Sequence, residues 1–238
     1  MKKKILLASL ALILILATIA YMAYGYYHKQ TLKAENPVVT MEIADYGIVK
    51  IELYPEMAPN TVRNYIKLIN EGYYNGLTFH RVEKSLIQGG DKKGDGTGTT
   101  EYTIKGEFAE NEYKENTLSF EKGTLGLARK DFTMMYYYTG DANYLTQGYN
   151  SGCTQFFITA EDCSKDFDGY YCAFGKVIEG MEIIDTIKAV ETTTEKDEKT
   201  GETNKTTTPV NPPVITSMTV ETFGINYNEP EKLTSTLD

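Results

Sequence analysis

From Ile5 to Tyr27 the chain is apolar almost without a break, interrupted by Ser9, Thr18 and Gly25 and preceded by Lys2, Lys3 and Lys4. About 23 such residues, at about 1.5 Å each in a helix, match a hydrocarbon core of roughly 30 Å. Residues 1–27 are therefore expected to form a transmembrane signal anchor, with the lysines cytoplasmic and the rest of the chain outside, a single-pass cell-membrane protein. Thr18-Ile19-Ala20 offers a cleavage site, so secretion after signal removal is the alternative.

The rhythm then changes. His28 to Pro37 is polar and reads as a linker, residues 28–37. Val38 to Ile43 and Ile48 to Tyr54 follow as two strands around Asp45-Tyr46-Gly47. In the second, Val49, Ile51 and Leu53 alternate with Lys50 and Glu52, the period of a half-buried strand. After Pro55 and Pro59 the period lengthens. Val62, Tyr65, Ile66 and Ile69 recur at helical spacing, with Asn60 as the expected cap and Gly72 as the stop.

From Thr78 onward, short apolar runs broken by glycine predict an antiparallel barrel or sandwich: Phe79–Ile87, Thr124–Ala128, Gln155–Thr159 and Cys172–Val177. No proline falls between Asn60 and Thr208, which leaves that stretch free to form a continuous ladder. A second helix is expected over Met181–Val190, a solvated loop over 191–208, and a closing strand over Val214–Val220. The last residues, 223–238, read as a flexible C-terminal tail.

Composition narrows the chemistry. Of 238 residues, 33 are acidic and 24 basic, a net charge of −9. Residues 1–30 hold four lysines and no acid, so the remaining 20 basic and 33 acidic groups leave the outer part at −13. Such a surface does not suit nucleic acid, whose binders concentrate Lys and Arg. His28 and His80 are the only histidines, too few for a His-rich metal site. The glycine run from Gly89 to Gly98 lacks the Lys-Ser/Thr ending of a phosphate loop and the terminal Glu of a calcium loop, so its glycines are read as turn formers.

Two segments carry the candidate chemistry. The first is Phe79-His80-Arg81, running on to Gln88-Gly89-Gly90-Asp91. The second is Gln155-Phe156-Phe157-Ile158, followed by Asp168-Gly169 and Phe174-Gly175-Lys176-Val177. Together they resemble the cyclophilin-type peptidyl-prolyl cis-trans isomerases, whose motifs run FHR, QGGD, QFFI and FGKV in that order, and the resemblance covers about residues 38–222. It implies a mainly β fold: a closed eight-stranded antiparallel β-barrel capped by two α-helices.

It also implies roles for particular residues. Arg81 would donate to the prolyl nitrogen as the bond twists, and Gln88 would hold Arg81. Leu86, Phe157 and Tyr171 would line the proline pocket. Gln155 would bind substrate backbone, and Ala128 the peptide before proline. Phe156 and Phe157 are adjacent in a strand and so face opposite ways, one to the core and one to the pocket. His80 should likewise face away from Arg81 and be structural. No cofactor or metal is implied. The expected partners are proline-containing peptides and unfolded exported proteins, with the membrane reached through the N-terminal helix and the chain a monomer.

This chain departs from the family pattern in three places. Between Arg81 and Gln88 it is one residue short, so Ser85 or Leu86 stands where relatives carry a pocket phenylalanine. Near Asp168-Gly169 it has Asp166 and Tyr171 in place of the tryptophan and histidine of many relatives. The loop from Arg129 to Cys153 is long and rich in Met and Tyr; its aromatics should lie at the groove's rim, either as a self-packed flap or as an extra recognition surface. The altered pocket leaves an alternative to catalysis, a non-catalytic or weakly catalytic proline-peptide binding module on the cell surface. Cys153, Cys163 and Cys172 are odd in number, and a Cys153–Cys163 bridge is conceivable in an oxidising exterior.

Overall fold

Alternating strands and two amphipathic helices must bury their apolar faces against one another, and in the computed structural model they do so around one core. Residues 13–24, 35–98, 100–196 and 203–234 are described. Met1–Glu35 and Asn36–Asp238 form separate compact units.

In the first unit, residues 13–24 form helix α1. Among the described residues no helix is long and apolar enough to cross a membrane, and the remainder of the predicted 1–27 span lies outside them.

The second unit is built on an eight-stranded antiparallel sheet. Its strands are β1 (Val38–Ile43), β2 (Gly47–Leu53), β3 (Phe79–Val82), β4 (Leu86–Gly89), β6 (Thr124–Leu127), β7 (Phe156–Thr159), β8 (Cys172–Glu179) and β11 (Ile215–Glu221). A two-residue β5 (Tyr102–Thr103) stands apart from it. The order β11-β1-β2-β8-β6-β7-β4-β3 curls the sheet until its edges meet. They join through the single bridge Thr78↔Val214, supported by Ile215 N–H to Leu77 O at 2.8 Å and Phe79 N–H to Pro213 O at 2.9 Å. The expected closed barrel is therefore a curled sheet. Pro212 and Pro213, which cannot extend a ladder, sit where closure would continue.

Helix α2 (Pro59–Asn70) buries Val62, Tyr65, Ile66 and Ile69 as the period predicts. Tyr65 meets Phe156 at 5.6 Å and Phe174 at 5.1 Å, both edge-on, at the centre of the core. Asn60, however, does not cap it. The orphan backbone N–H groups of Asn60 and Thr61 are taken at 2.9 and 2.8 Å by Glu107, a buried carboxylate far along the chain that also accepts the Thr61 hydroxyl at 2.7 Å.

Four other expectations change. The second predicted helix is observed as α6 (Met181–Ile187), but three further short helices appear: α3 (Thr133–Thr139), α4 (Asn143–Tyr149) and α5 (Ser164–Phe167). Within the loop expected over 191–208, β9 (Thr192–Lys196) and β10 (Thr203–Pro209) pair antiparallel, because β-branched threonines pair well on an exposed ribbon. The tail is docked through residue 234. Its β12 (Leu233–Thr234) pairs with β5, and Asn60 grips the Glu231 backbone at 2.9 and 2.7 Å. All three cysteines are buried and unbridged, and burial pushes the Cys172 thiol up to about 12.

Candidate active site

Strands β3 and β4 read FHRV and LIQG, and in each the third residue is the one left partly exposed: Arg81 and Gln88. These two are cross-strand partners, so their side chains leave the same face of the sheet. The Arg81 Nη1 donates to Gln88 Oε1 at 3.0 Å. Gln88 Nε2 then donates to Gln155 Oε1 at 2.9 Å, and Gln155 Nε2 to the Gly96 carbonyl at 3.2 Å. The sequence-predicted Arg81, Gln88 and Gln155 thus form one hydrogen-bonded line.

A partner missed by the sequence reading completes it. Glu83 lies two residues beyond Arg81, on the same side of the chain, and accepts from Nε at 2.8 Å and from Nη2 at 2.6 Å. A guanidinium carries five N–H donors, so about two remain without a partner among the described residues. Held by a carboxylate on one edge and an amide on the other, the group is a fixed hydrogen-bond donor rather than a mobile surface charge.

Gly96, at the end of the line, is itself placed by Asp91. This buried carboxylate accepts backbone N–H bonds from Lys93, Asp95, Gly96 and Gly98 at 2.8–3.4 Å. The donors that give a glycine run the look of an anion cradle are occupied from within. His80 is 5% exposed and lies beneath the glycine run, where a Cβ on Gly96 would come within 3.4 Å of its Nε2, and burial lowers its pKa.

Beside this line lies an apolar cluster. Leu86, Phe120, Phe157, Cys163 and Ala173 are its buried members, with Leu118, Ala128, Phe167 and Tyr171 packed around them. Four of the predicted residues, Leu86, Ala128, Phe157 and Tyr171, therefore meet in one place. Phe156 turns to the main core instead, as strand alternation requires. Of Ser85 and Leu86, Leu86 is the one that enters this cluster, while the Ser85 backbone carbonyl accepts from Ala160 N–H at 2.7 Å.

Phe120 and Phe167 were not predicted. Phe120 stacks on Phe157 with ring centroids 5.5 Å apart and planes 19° apart, while Phe167 meets Phe157 edge-on at 5.5 Å. Tyr171 closes the side, 5.8 Å from Phe157 and 5.0 Å from Phe167. Phe120 thus adds a second aromatic ring stacked on Phe157 within the cluster. Gly126 makes room for it, since a Cβ there would lie 2.4 Å from Phe157 and 2.6 Å from Phe120.

Next to the cluster a groove of about 230 Å³ is lined by Gln88, Gly96, Ala128, Arg129, Ser151 and Gln155, among others. Chemically the arrangement pairs an apolar wall with a fixed cationic donor and amide groups able to hold peptide backbone. Among the described residues, no group of three or more His, Cys, Asp and Glu side chains could hold a metal.

Residues 38–220 match the family profile described as "Cyclophilin type peptidyl-prolyl cis-trans isomerase/CLD". The chain is 39% identical over 141 residues to peptidyl-prolyl cis-trans isomerase B of Bacillus subtilis, covering 59% of this chain and 82% of that protein. A probable peptidyl-prolyl cis-trans isomerase of Brucella suis is 35% identical over 188 residues, 73% of this chain and 83% of that one. Among solved structures, a cyclophilin-type isomerase of Cryptosporidium parvum superposes with a TM-score of 0.60 at 26% identity, covering 78% of this chain and 98% of that one. The same protein solved in the presence of the dipeptide Ala-Pro gives a TM-score of 0.58 at 25% identity. Motif order, the curled sheet and these likenesses agree, and the chain belongs to the cyclophilin-type peptidyl-prolyl cis-trans isomerases.

Proposed function

We propose that the chain accelerates X-Pro isomerisation in unfolded exported proteins, tethered by residues 1–27 to the outer face of the cell membrane. Rotation about a peptide bond meets a barrier of about 18–20 kcal/mol because the nitrogen lone pair is shared with the carbonyl. A donor aimed at the prolyl nitrogen localises that lone pair and stabilises the twisted state. The observation that carries this reading is the guanidinium of Arg81, oriented by Glu83 and Gln88 with donors left over, beside an aromatic cluster.

In this mechanism Leu86, Phe157 and Tyr171, backed by Phe120 and Phe167, hold the proline ring. Gln155 and Ala128 align the residues around it. The ring is held while the bond's other side turns. No bond breaks, so no proton transfer is asked of His80.

The tether is supported by the apolar run behind three lysines; the net −13 of the remainder repels it from anionic lipid and would keep it clear of the surface. Fractionation of cells making the full chain tests both halves of the reading. Activity on a proline-limited refolding substrate is expected in the membrane pellet after a high-salt wash. Loss of residues 1–27 should move that activity to the soluble fraction with kcat/KM unchanged. Membranes without activity would overturn the catalytic reading, and full chain found only in the soluble fraction would overturn the tether.

The pocket makes its own prediction. Gly126→Ala drives a methyl into Phe157 and Phe120. Overpacking of this kind costs about 1–3 kcal/mol, or roughly 3–10 °C of melting temperature in a domain this size. Because Phe157 faces the proline and Phe120 stacks behind it, KM should rise about tenfold while kcat changes little. Unchanged KM in steady-state kinetics would show that these rings do not form the pocket.

A further inference from the structure

Between β6 and β7 the chain leaves the sheet as a helical hairpin, α3 and α4, turning at Gly140 with a φ of 72°. Its base is tied down. The Arg129 guanidinium lies 4.4 Å from the Tyr171 ring centre, 5.1 Å from that of Tyr149 and 5.7 Å from that of Phe108, and it donates to the Tyr170 and Lys130 carbonyls at 2.9 and 3.1 Å. Asp131 accepts from the Thr133 backbone N–H at 2.9 Å, and Phe132 meets Tyr144 edge-on at 6.4 Å.

The outer half is different. Helix α3 reads TMMYYYT, carries no charge and buries none of its residues. Met134, Tyr137 and Tyr138, at i, i+3 and i+4 on one face, are 78%, 74% and 87% exposed. A seven-residue helix does not hold itself together in water, so its apolar face is displayed by the contacts at its base. Contiguous exposed apolar surface of this sort marks an interaction site.

Its position indicates the partner. The hairpin's stem residues Arg129, Lys130 and Ser151 line the same groove as Ala128 and Gln155, and α3 begins four residues beyond Arg129. Peptide lying before the proline, along Ala128, is carried past this stem. Methionine adapts to many side-chain shapes, and tyrosine adds wide contact area with a polar tip, which suits clients of varied sequence.

We propose that α3 is an auxiliary docking face for the large apolar residues preceding proline in unfolded polypeptides, an inference that rests on the groove acting as an isomerase site. The test is Met134→Ser/Tyr137→Ser/Tyr138→Ser in the full chain, assayed on a proline tetrapeptide and on an unfolded protein whose refolding is proline-limited. All three side chains are exposed, so the melting temperature should stay within about 2 °C. Expected is a tetrapeptide kcat/KM within twofold of wild type and a roughly tenfold loss on the unfolded protein, carried by KM. An equal loss on both substrates, or none on either, overturns the proposal. So does a wild-type dimer that the variant converts to monomer in sedimentation, which would make the face a self-association surface. A wild-type chain inactive on both substrates would fail at the groove itself and remove both readings.

Discussion

Arg81→Ala is expected to lower kcat/KM for an X-Pro peptide by about 10²–10³-fold, the usual loss when one preorganised donor is removed from a transition state. The side chain is 43% exposed and its ion pair with Glu83 lies at the surface, where such pairs contribute about 1 kcal/mol or less. The melting temperature should therefore shift by no more than about 4 °C. Arg81→Lys separates geometry from charge. An ammonium keeps the positive charge but not the planar fork that meets Glu83 and Gln88 together, so it should recover less than about a tenth of the lost rate. Stopped-flow isomerisation alongside thermal melts reads both quantities. A rate loss below about tenfold, or full recovery by lysine, would remove Arg81 from the donor role.

What the sequence made legible follows from how local each signal is. The β1–β2 hairpin, α2 and α6 announce themselves through periods of two and 3.6, because a surface element buries one face only. Arg81, Gln88, Gln155 and Phe157 were readable from motifs in a known order. Phe120 was not, since it lies in the irregular stretch between β5 and β6, where no period tells core from solvent. Glu83 could have been found: a carboxylate at i+2 on a strand shares the face of the residue it follows. The β9–β10 ribbon was hidden by its polarity, because a two-stranded exposed ladder needs no apolar alternation. The docked tail is held by one asparagine, a short ladder and Lys232 over the Tyr102 ring at 4.6 Å, contacts between segments far apart in sequence.

The same distance conceals the largest stability effect. Glu107→Ala removes a 4% exposed carboxylate that accepts three hydrogen bonds at the start of α2, and leaves two backbone donors without their acceptor and the Thr61 hydroxyl with only the Cys172 Sγ, at 3.3 Å, as partner. Hydrogen bonds to a charged acceptor contribute about 1.5–3 kcal/mol each, and a carboxylate at a helix N-terminus also opposes the helix dipole. Allowing for partial relaxation, the expected cost is about 3 kcal/mol, or roughly 6–12 °C of melting temperature. Glu107→Gln keeps one acceptor and should lose about half as much. Asn60→Ala, which local sequence would nominate as the damaging change, severs only exposed bonds to the Glu231 backbone and should cost under about 1 kcal/mol. Calorimetry ranks the three, and Asn60→Ala costing more than Glu107→Ala would refute the long-range cap. The effect should also reach the site. Asn116 Nδ2 donates to the Glu107 carbonyl at 2.9 Å and to the Ala173 carbonyl at 2.8 Å, joining the capping segment to a buried member of the pocket cluster. Hydrogen exchange should therefore quicken first in the opening turn of α2 and next in the segment that carries Leu118 and Phe120, while β1 and β2 keep their protection.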